Sequence, residues 1–242
     1  RDWSSDVCSS DLLIPVFFIM KQPDLGSAAV FLPMCFGLLL AGGTRLRFLL
    51  VPAGLGLAGV LAIYLWVGHF GKELPFLKTY QNNRIRTFFD PNLDPLGAGW
   101  TIRQSIIAIG SGGFSGKGFL RGDQNLYGFL PKNIAYNDFI FSVLGEEWGF
   151  VGGSLLILGE AALLLSIAWI GMRAPDLEGR LLAGGVLGMF FTHFFINVGM
   201  TIKVVPITGI PLPFVSYGGT FLAVCMAAMG LMQSIWRQRR LG

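Results

Sequence analysis

Charge is what this sequence most lacks. Only 13% of its 242 residues are Asp, Glu, Lys or Arg, about half the share found in an ordinary soluble domain. So few charges would not cover the surface of a water-soluble fold. Intrinsic disorder is excluded as well, because 53% of the chain is hydrophobic and disorder needs low hydrophobicity and high charge. Cysteine and histidine are also scarce. Cys8, Cys35 and Cys225 make no disulfide framework. His69 and His193 are the only histidines, too few for a His- or Cys-based metal centre. The formal net charge is +4, yet basic and aromatic residues do not interleave, so no nucleic acid is expected as a partner. The positive excess fits topology signals, membrane lipids and anionic ligands. The composition points to an all-α, polytopic transmembrane helical bundle.

Residues 1–11, RDWSSDVCSSD, are polar and repetitive and read as a non-native tail rather than a signal peptide. Residues 12–242 read as one membrane domain. Its first apolar run, Leu12–Met20, has nine residues, too few to span, and reads as a span cut short in a C-terminal fragment. Five complete spans are predicted after it: Leu25–Gly43, Phe48–Gly68, Trp148–Met172, Leu181–Ile202 and Phe214–Trp236. One set of short connections carries Arg45, Arg47, Arg173, Arg180, Arg237, Arg239 and Arg240, and the opposite set only Lys21 and Lys203. That asymmetry predicts a cytoplasmic C-terminus. The long segment 69–138 is then an extracytoplasmic loop holding eight basic residues, Lys72, Lys78, Arg84, Arg86, Arg103, Lys117, Arg121 and Lys132, a concentration that suits an anionic ligand.

The loop has internal order. Asp90-Pro91-Asn92 and Asp94-Pro95 are turn signals. Trp100–Ile109 predicts a short helix lying on the membrane surface, ended by Gly110 in the left-handed conformation. The glycine run 110–118 fails as a P-loop, since Ser111 and Gly118 stand where Gly and Ser/Thr are required. It is either a tight bend packed on the membrane domain or a cradle whose amides and Lys117 face a phosphate.

Several polar residues invite chemistry. Asp138, where polar loop meets apolar helix, is either an N-cap or a general base with its pKa contested between desolvation and nearby cations. Glu146 and Glu147 either cap the next helix or pair with loop arginines. Glu160 lies within a span, where acids are functional suspects or hydrogen-bond to a neighbouring helix. His193 and Asn197 share a helix face and suit interhelical hydrogen bonding. Asp24 suits a helix cap. Pro211–Gly219 breaks a helix at membrane depth, either lining a ligand groove or forming a packing kink.

The motifs Lys21-Gln22-Pro23-Asp24-Leu25-Gly26, Asp94-Pro95-Leu96-Gly97-Ala98-Gly99, Gln104-Ser105, Ile109–Gly113, Gly116-Lys117-Gly118, Asn137–Phe141, Gly145-Glu146-Glu147 and Pro211–Gly219 occur in this order. Together they resemble the SEDS family (shape, elongation, division and sporulation), in its elongation-type, RodA-like branch. The resemblance implies a ten-span membrane enzyme of the bacterial cytoplasmic membrane. Such an enzyme is a peptidoglycan glycosyltransferase that polymerises lipid II into glycan strands and works with a class B penicillin-binding protein transpeptidase. It also implies that Asp138 is the essential aspartate. About four N-terminal spans of the family have no counterpart here. Tyr136-Asn137 replaces a common His-Thr, and Glu160 belongs to no family motif.

In that reaction a sugar hydroxyl of lipid II attacks a polyprenyl pyrophosphate-linked glycan, and polyprenyl pyrophosphate leaves. One carboxylate supplies the base. Cations neutralise the leaving group, with or without a divalent metal such as Mg or Mn. Arg84, Arg86, Arg103, Lys117 and Arg121 are the candidate pyrophosphate contacts. A lipid II flippase and a non-catalytic scaffold for a transpeptidase are the alternatives.

Overall fold

A computed structural model of the chain describes residues 25–70 and 79–238. The tail 1–11, the partial span Leu12–Met20, the motif residues Lys21–Asp24, and Lys72, Lys78, Arg239 and Arg240 lie outside the described residues. Those described form helices and turns with no strand. The α-helices are α1 (Leu25–Ala41), α2 (Leu46–Phe70), α3 (Thr79–Phe89), α4 (Ala98–Ser111), α5 (Asp123–Leu126), α6 (Lys132–Ala135), α7 (Ile140–Met172), α8 (Leu177–Thr201) and α9 (Gly219–Gln238), with a 3-10 turn at Pro91–Leu93.

Helices α2, α7, α8 and α9 are long and apolar enough to cross a bilayer, and the protein is a multi-pass membrane protein. Along α2 the large side chains Phe48, Leu55, Val60 and Leu65 are more than half exposed. In water each would forfeit about 1.5–3 kcal/mol of burial; against lipid they forfeit little. Helix α1 is shorter than the predicted Leu25–Gly43. Its 17 residues rise about 25 Å. The amides of Gly42, Gly43 and Thr44 fold back onto the carbonyls of Leu38, Leu40 and Leu39, and Gly43 takes φ 76°, so the helix closes there.

The chain packs as two compact units. The first holds the described parts of residues 1–50, 160–194 and 219–242. Its core is Ile167, Ala183, Phe190, Cys225, Ala228, Met232 and Ile235. Here α1 meets α8 backbone to backbone: a Cβ on Gly37 would lie 2.0 Å from the Gly184 carbonyl oxygen, and one on Gly188 would lie 2.4 Å from that of Pro33. Small residues of this kind let transmembrane helices approach closely.

The second unit holds residues 51–159 and 195–218. Its core gathers Ala108, Leu130, Ala135 and Val143 beside Ile140. Helix α4 contains the short helix predicted over Trp100–Ile109 and extends it at both ends. It buries Thr101, Gln104 and Ser105 and exposes Trp100, Ile106 and Ile107. The Ser105 hydroxyl donates to the Thr201 carbonyl at 2.7 Å and meets the Ser142 hydroxyl at 2.6 Å. Ser105 has one proton to give, so Ser142 is the donor to Ser105. Polar atoms find partners inside, and apolar ones face outward, which is the arrangement lipid surroundings favour. The helix also runs past Gly110: Gly112 is its right-handed cap, and Gly113 is the residue with φ 58°.

The glycine run is a tight bend packed on α7. Three of its amides are taken by carbonyls: Gly116 by Gly112, Lys117 by Glu146 and Gly118 by Glu147. In return Phe150 and Val151 donate to Gly113 and Phe114. These last bonds bridge a kink in α7 at Gly149, where φ is 65° and ψ −158°.

Candidate active site

Asp138 ends a short turn. Its amide donates to the Ile134 carbonyl at 2.9 Å, and Phe139 follows with the same acceptor. Phe139 is fully buried, and its carbonyl accepts the amides of Ser142 and Val143. Phe139 therefore stands at the N-cap of α7, and Asp138 stands one residue outside it. That leaves the Asp138 carboxylate half-buried rather than committed to capping.

Facing it is the segment 203–218, the Pro-punctuated stretch. Gly209 takes φ 77°, and a Cβ built there would lie 3.3 Å from Asp138 Oδ2. Hydrogen bonds fix this segment around the aspartate. Asn197 Nδ2 donates to the carbonyls of Asp138 at 2.9 Å and Ile210 at 2.8 Å. Ser216 Oγ donates to the Asn137 carbonyl and accepts the Leu212 amide. The Tyr217 amide donates to the Tyr136 carbonyl. From α3, Arg84 Nη1 donates to the Ile207 carbonyl at 3.3 Å. Burial pushes the Asp138 carboxyl above the ordinary aspartate range, and the Arg84 charge pulls it partly back.

Of the five cationic candidates, Arg84 is the one whose charge acts on Asp138. Arg103 bonds Asn92 Oδ1 beside the 3-10 turn, which Asp90 caps through the Asn92 amide. Arg86 is half-buried on α3, and Arg121 is exposed beside the glycine bend. Lys117 ion-pairs with Glu146 at 2.7 Å and Asp123 at 2.8 Å. The two carboxylates hold its ammonium above the usual lysine range. Glu146 thus pairs with a lysine rather than a loop arginine. It is fully buried and also accepts the Gln124 amide. Glu146→Ala is expected to destabilise the protein by about 1–3 kcal/mol, because the buried carboxylate's donors lose their acceptor while Lys117, partly exposed, keeps Asp123; a lower midpoint of thermal unfolding in detergent would show it.

Asn197, Gly209 and Ser216 escaped the sequence reading as neighbours of the aspartate. The break at Pro211–Gly219 was the available signal. An apolar groove of about 320 Å³ lies in the same unit, lined by Ile109, Phe141, Gly145, Phe150, Ile157 and Ile202 among others. Among the described residues no three His, Cys, Asp or Glu side chains gather as metal ligands. The described side chains by themselves do not complete a cation site.

Comparison with known proteins follows the same lines. A family model of FtsW, RodA and SpoVE, described as cell cycle protein, matches residues 5–241. The peptidoglycan glycosyltransferase MrdB of Escherichia coli is 40% identical over 95% of this chain and 59% of its own length. The peptidoglycan glycosyltransferase RodA of Treponema pallidum is 38% identical over 92% of this chain and 65% of its own. A chain of a solved peptidoglycan synthase complex that coordinates polymerization and crosslinking superposes with a TM-score of 0.74 and 32% identity, covering 99% of this chain and 63% of that one. An aspartate-to-alanine mutant of the Thermus thermophilus rod shape determining protein RodA superposes at 0.60 with 27% identity, over 99% and 58%. The chain thus spans about three-fifths of the length of these relatives. With the helical architecture, the ordered motifs and the family model agreeing over nearly its whole length, this chain belongs to the FtsW/RodA/SpoVE family.

Proposed function

We propose that the protein is a peptidoglycan glycosyltransferase that polymerises lipid II into glycan strands during cell elongation, with Asp138 as its general base. The observation that carries this reading is the carboxylate itself. It is half-buried just before a membrane span, seated over Gly209, raised by burial and lowered in part by the Arg84 charge. A raised carboxyl is a stronger proton acceptor than a solvated one, and a base need only be deprotonated at working pH. The names of the relatives, both peptidoglycan glycosyltransferases, supply the reaction.

In this reading the acceptor hydroxyl of lipid II gives its proton to Asp138 as it attacks the anomeric carbon, and polyprenyl pyrophosphate departs. Arg84, whose charge acts on Asp138, is the first candidate cation for that leaving group. Arg86, Arg103 and Arg121 bind phosphate at the periphery, whereas Lys117 serves Glu146 first. A divalent cation bound through the pyrophosphate oxygens would supply further charge neutralisation there. The apolar groove beside Phe141 suits part of a polyprenyl tail. The loop 69–138 faces the cell exterior from the bacterial cytoplasmic membrane, the C-terminus lies in the cytoplasm, and the partner is a class B penicillin-binding protein transpeptidase.

Purified full-length protein given lipid II tests this directly. Glycan polymers are expected from the wild type and not from Asp138→Asn; lipid movement without elongation would overturn the reading. Arg84→Gln gives a finer check. Removing the charge that lowers the Asp138 pKa lets burial raise it further. The carboxylate is then lost at a higher pH, so the acid limb of the pH–rate profile is expected to move upward.

A further inference from the structure

The peptide groups on both sides of Asp138 are fixed, and a single buried side chain fixes one of them. The Asp138 amide is held by the Ile134 carbonyl. Its carbonyl lies outside the α7 ladder, which begins with Ser142 and Val143 on Phe139. It is instead taken by Asn197 Nδ2 at 2.9 Å. The same nitrogen donates at 2.8 Å to Ile210, the residue after Gly209, whose backbone underlies the carboxylate. Asn197 is fully buried. Its Oδ1 is buried too, with no hydrogen-bond partner among the described residues. A flipped amide would set that oxygen against both carbonyls, so the orientation is determined. The side chain is worth keeping there for its two N–H donors.

We propose that Asn197 is the positioning residue for the base: by joining the carbonyls of residues 138 and 210, it sets the direction of the Asp138 side chain and seats segment 207–210 beneath the carboxylate. This deepens the reading of Asp138 as general base and rests on it. Without the tie, the segment lifts, water reaches the carboxylate, and the reacting hydroxyl meets a base of variable direction. Arg84 from α3 is the charged group acting on Asp138. Residues 207–213 contain no titratable side chain, and Tyr136 and Tyr217 flank the site, joined through their backbones.

The test uses full-length protein and lipid II, with kcat, KM and the pH profile measured per folded molecule. Asn197→Ala is expected to lower kcat about 10–100-fold, as loss of an orienting outer group does, with KM near the wild-type value. Its acid limb is expected to move to lower pH as the carboxylate is hydrated. Asn197→Ser, which keeps one donor on a smaller side chain, is expected to give an intermediate kcat, and it carries the test if the alanine variant does not fold. Wild-type kcat with an unmoved acid limb overturns the proposal. So does a loss that only follows the yield of folded protein. Asp138→Asn run in parallel separates the two ideas. If it is fully active, the base assignment fails. If it is inactive while both Asn197 variants behave as wild type, the positioning role alone fails.

Discussion

Asp138→Asn is expected to lower glycan polymerisation about 10²- to 10⁴-fold, the contribution of a general base. That range equals roughly 3–5.5 kcal/mol of transition-state stabilisation. Asparagine matches aspartate in shape, and the ties that seat residue 138 are made by its backbone, to Ile134 and Asn197. The variant is therefore expected to fold and to bind lipid II, with kcat falling and KM little changed. Asp138→Glu keeps the acid but carries it one methylene further toward Gly209, so an intermediate rate is expected. Turnover of lipid II, read beside thermal unfolding of the same samples, checks both. A wild-type rate in Asp138→Asn would remove the base from the mechanism.

Gly149→Ala is expected to destabilise the protein by about 3–5 kcal/mol. Its φ of 65° with ψ of −158° is a conformation essentially confined to glycine, costing about 1–3 kcal/mol in other residues. An added Cβ would also lie 2.4 Å from the Gly116 nitrogen and 2.8 Å from the Phe114 oxygen. Backbone must shift, which disturbs the Phe150–Gly113 and Val151–Phe114 bonds, each worth about 1 kcal/mol. Gly159→Ala in the same helix meets nothing within 4 Å and is expected to be neutral or to stabilise by about 0.5–1 kcal/mol. The fraction of monodisperse protein after heating in detergent distinguishes the two. Equal behaviour would mean that the kink is not held by this contact.

Apolar run lengths were enough to place α2, α7, α8 and α9, because lipid forces the backbone to satisfy itself within each helix. Their ends were less legible. The predicted start at Trp148 falls on the kink at Gly149, where two helical segments of α7 meet; the segment from Ile140 to that kink was hidden in the sequence, because the glycine bend that supports it is a tertiary contact. Asp138 could be singled out because a lone acid at a polar–apolar boundary is visible locally. What surrounds it was not. Asn197 lies 59 positions away, and the choice between a helix partner and a loop carbonyl is made only in three dimensions. Lys117 shows the converse. Its charge read as a phosphate contact, yet the bend brings it to Glu146, 29 positions on. The helix expected at Trp100–Ile109 is present as α4, but the sequence did not show which side turns inward: Gln104 and Ser105 are buried and Ile106 and Ile107 exposed.

The close contact between α1 and α8 has an evolutionary consequence. No side-chain atom separates Gly37 from Gly184 or Gly188 from Pro33, so the attraction there is dispersion at short range, which is independent of solvent. Polarity gives selection little to act upon at these positions; volume gives it nearly everything. A conservative-looking exchange to alanine adds a single methyl, yet it would prise apart two segments that lie far apart in the sequence. Variation along this seam is therefore expected to be confined to the flanking, outward-facing residues, while the glycines themselves stay invariant.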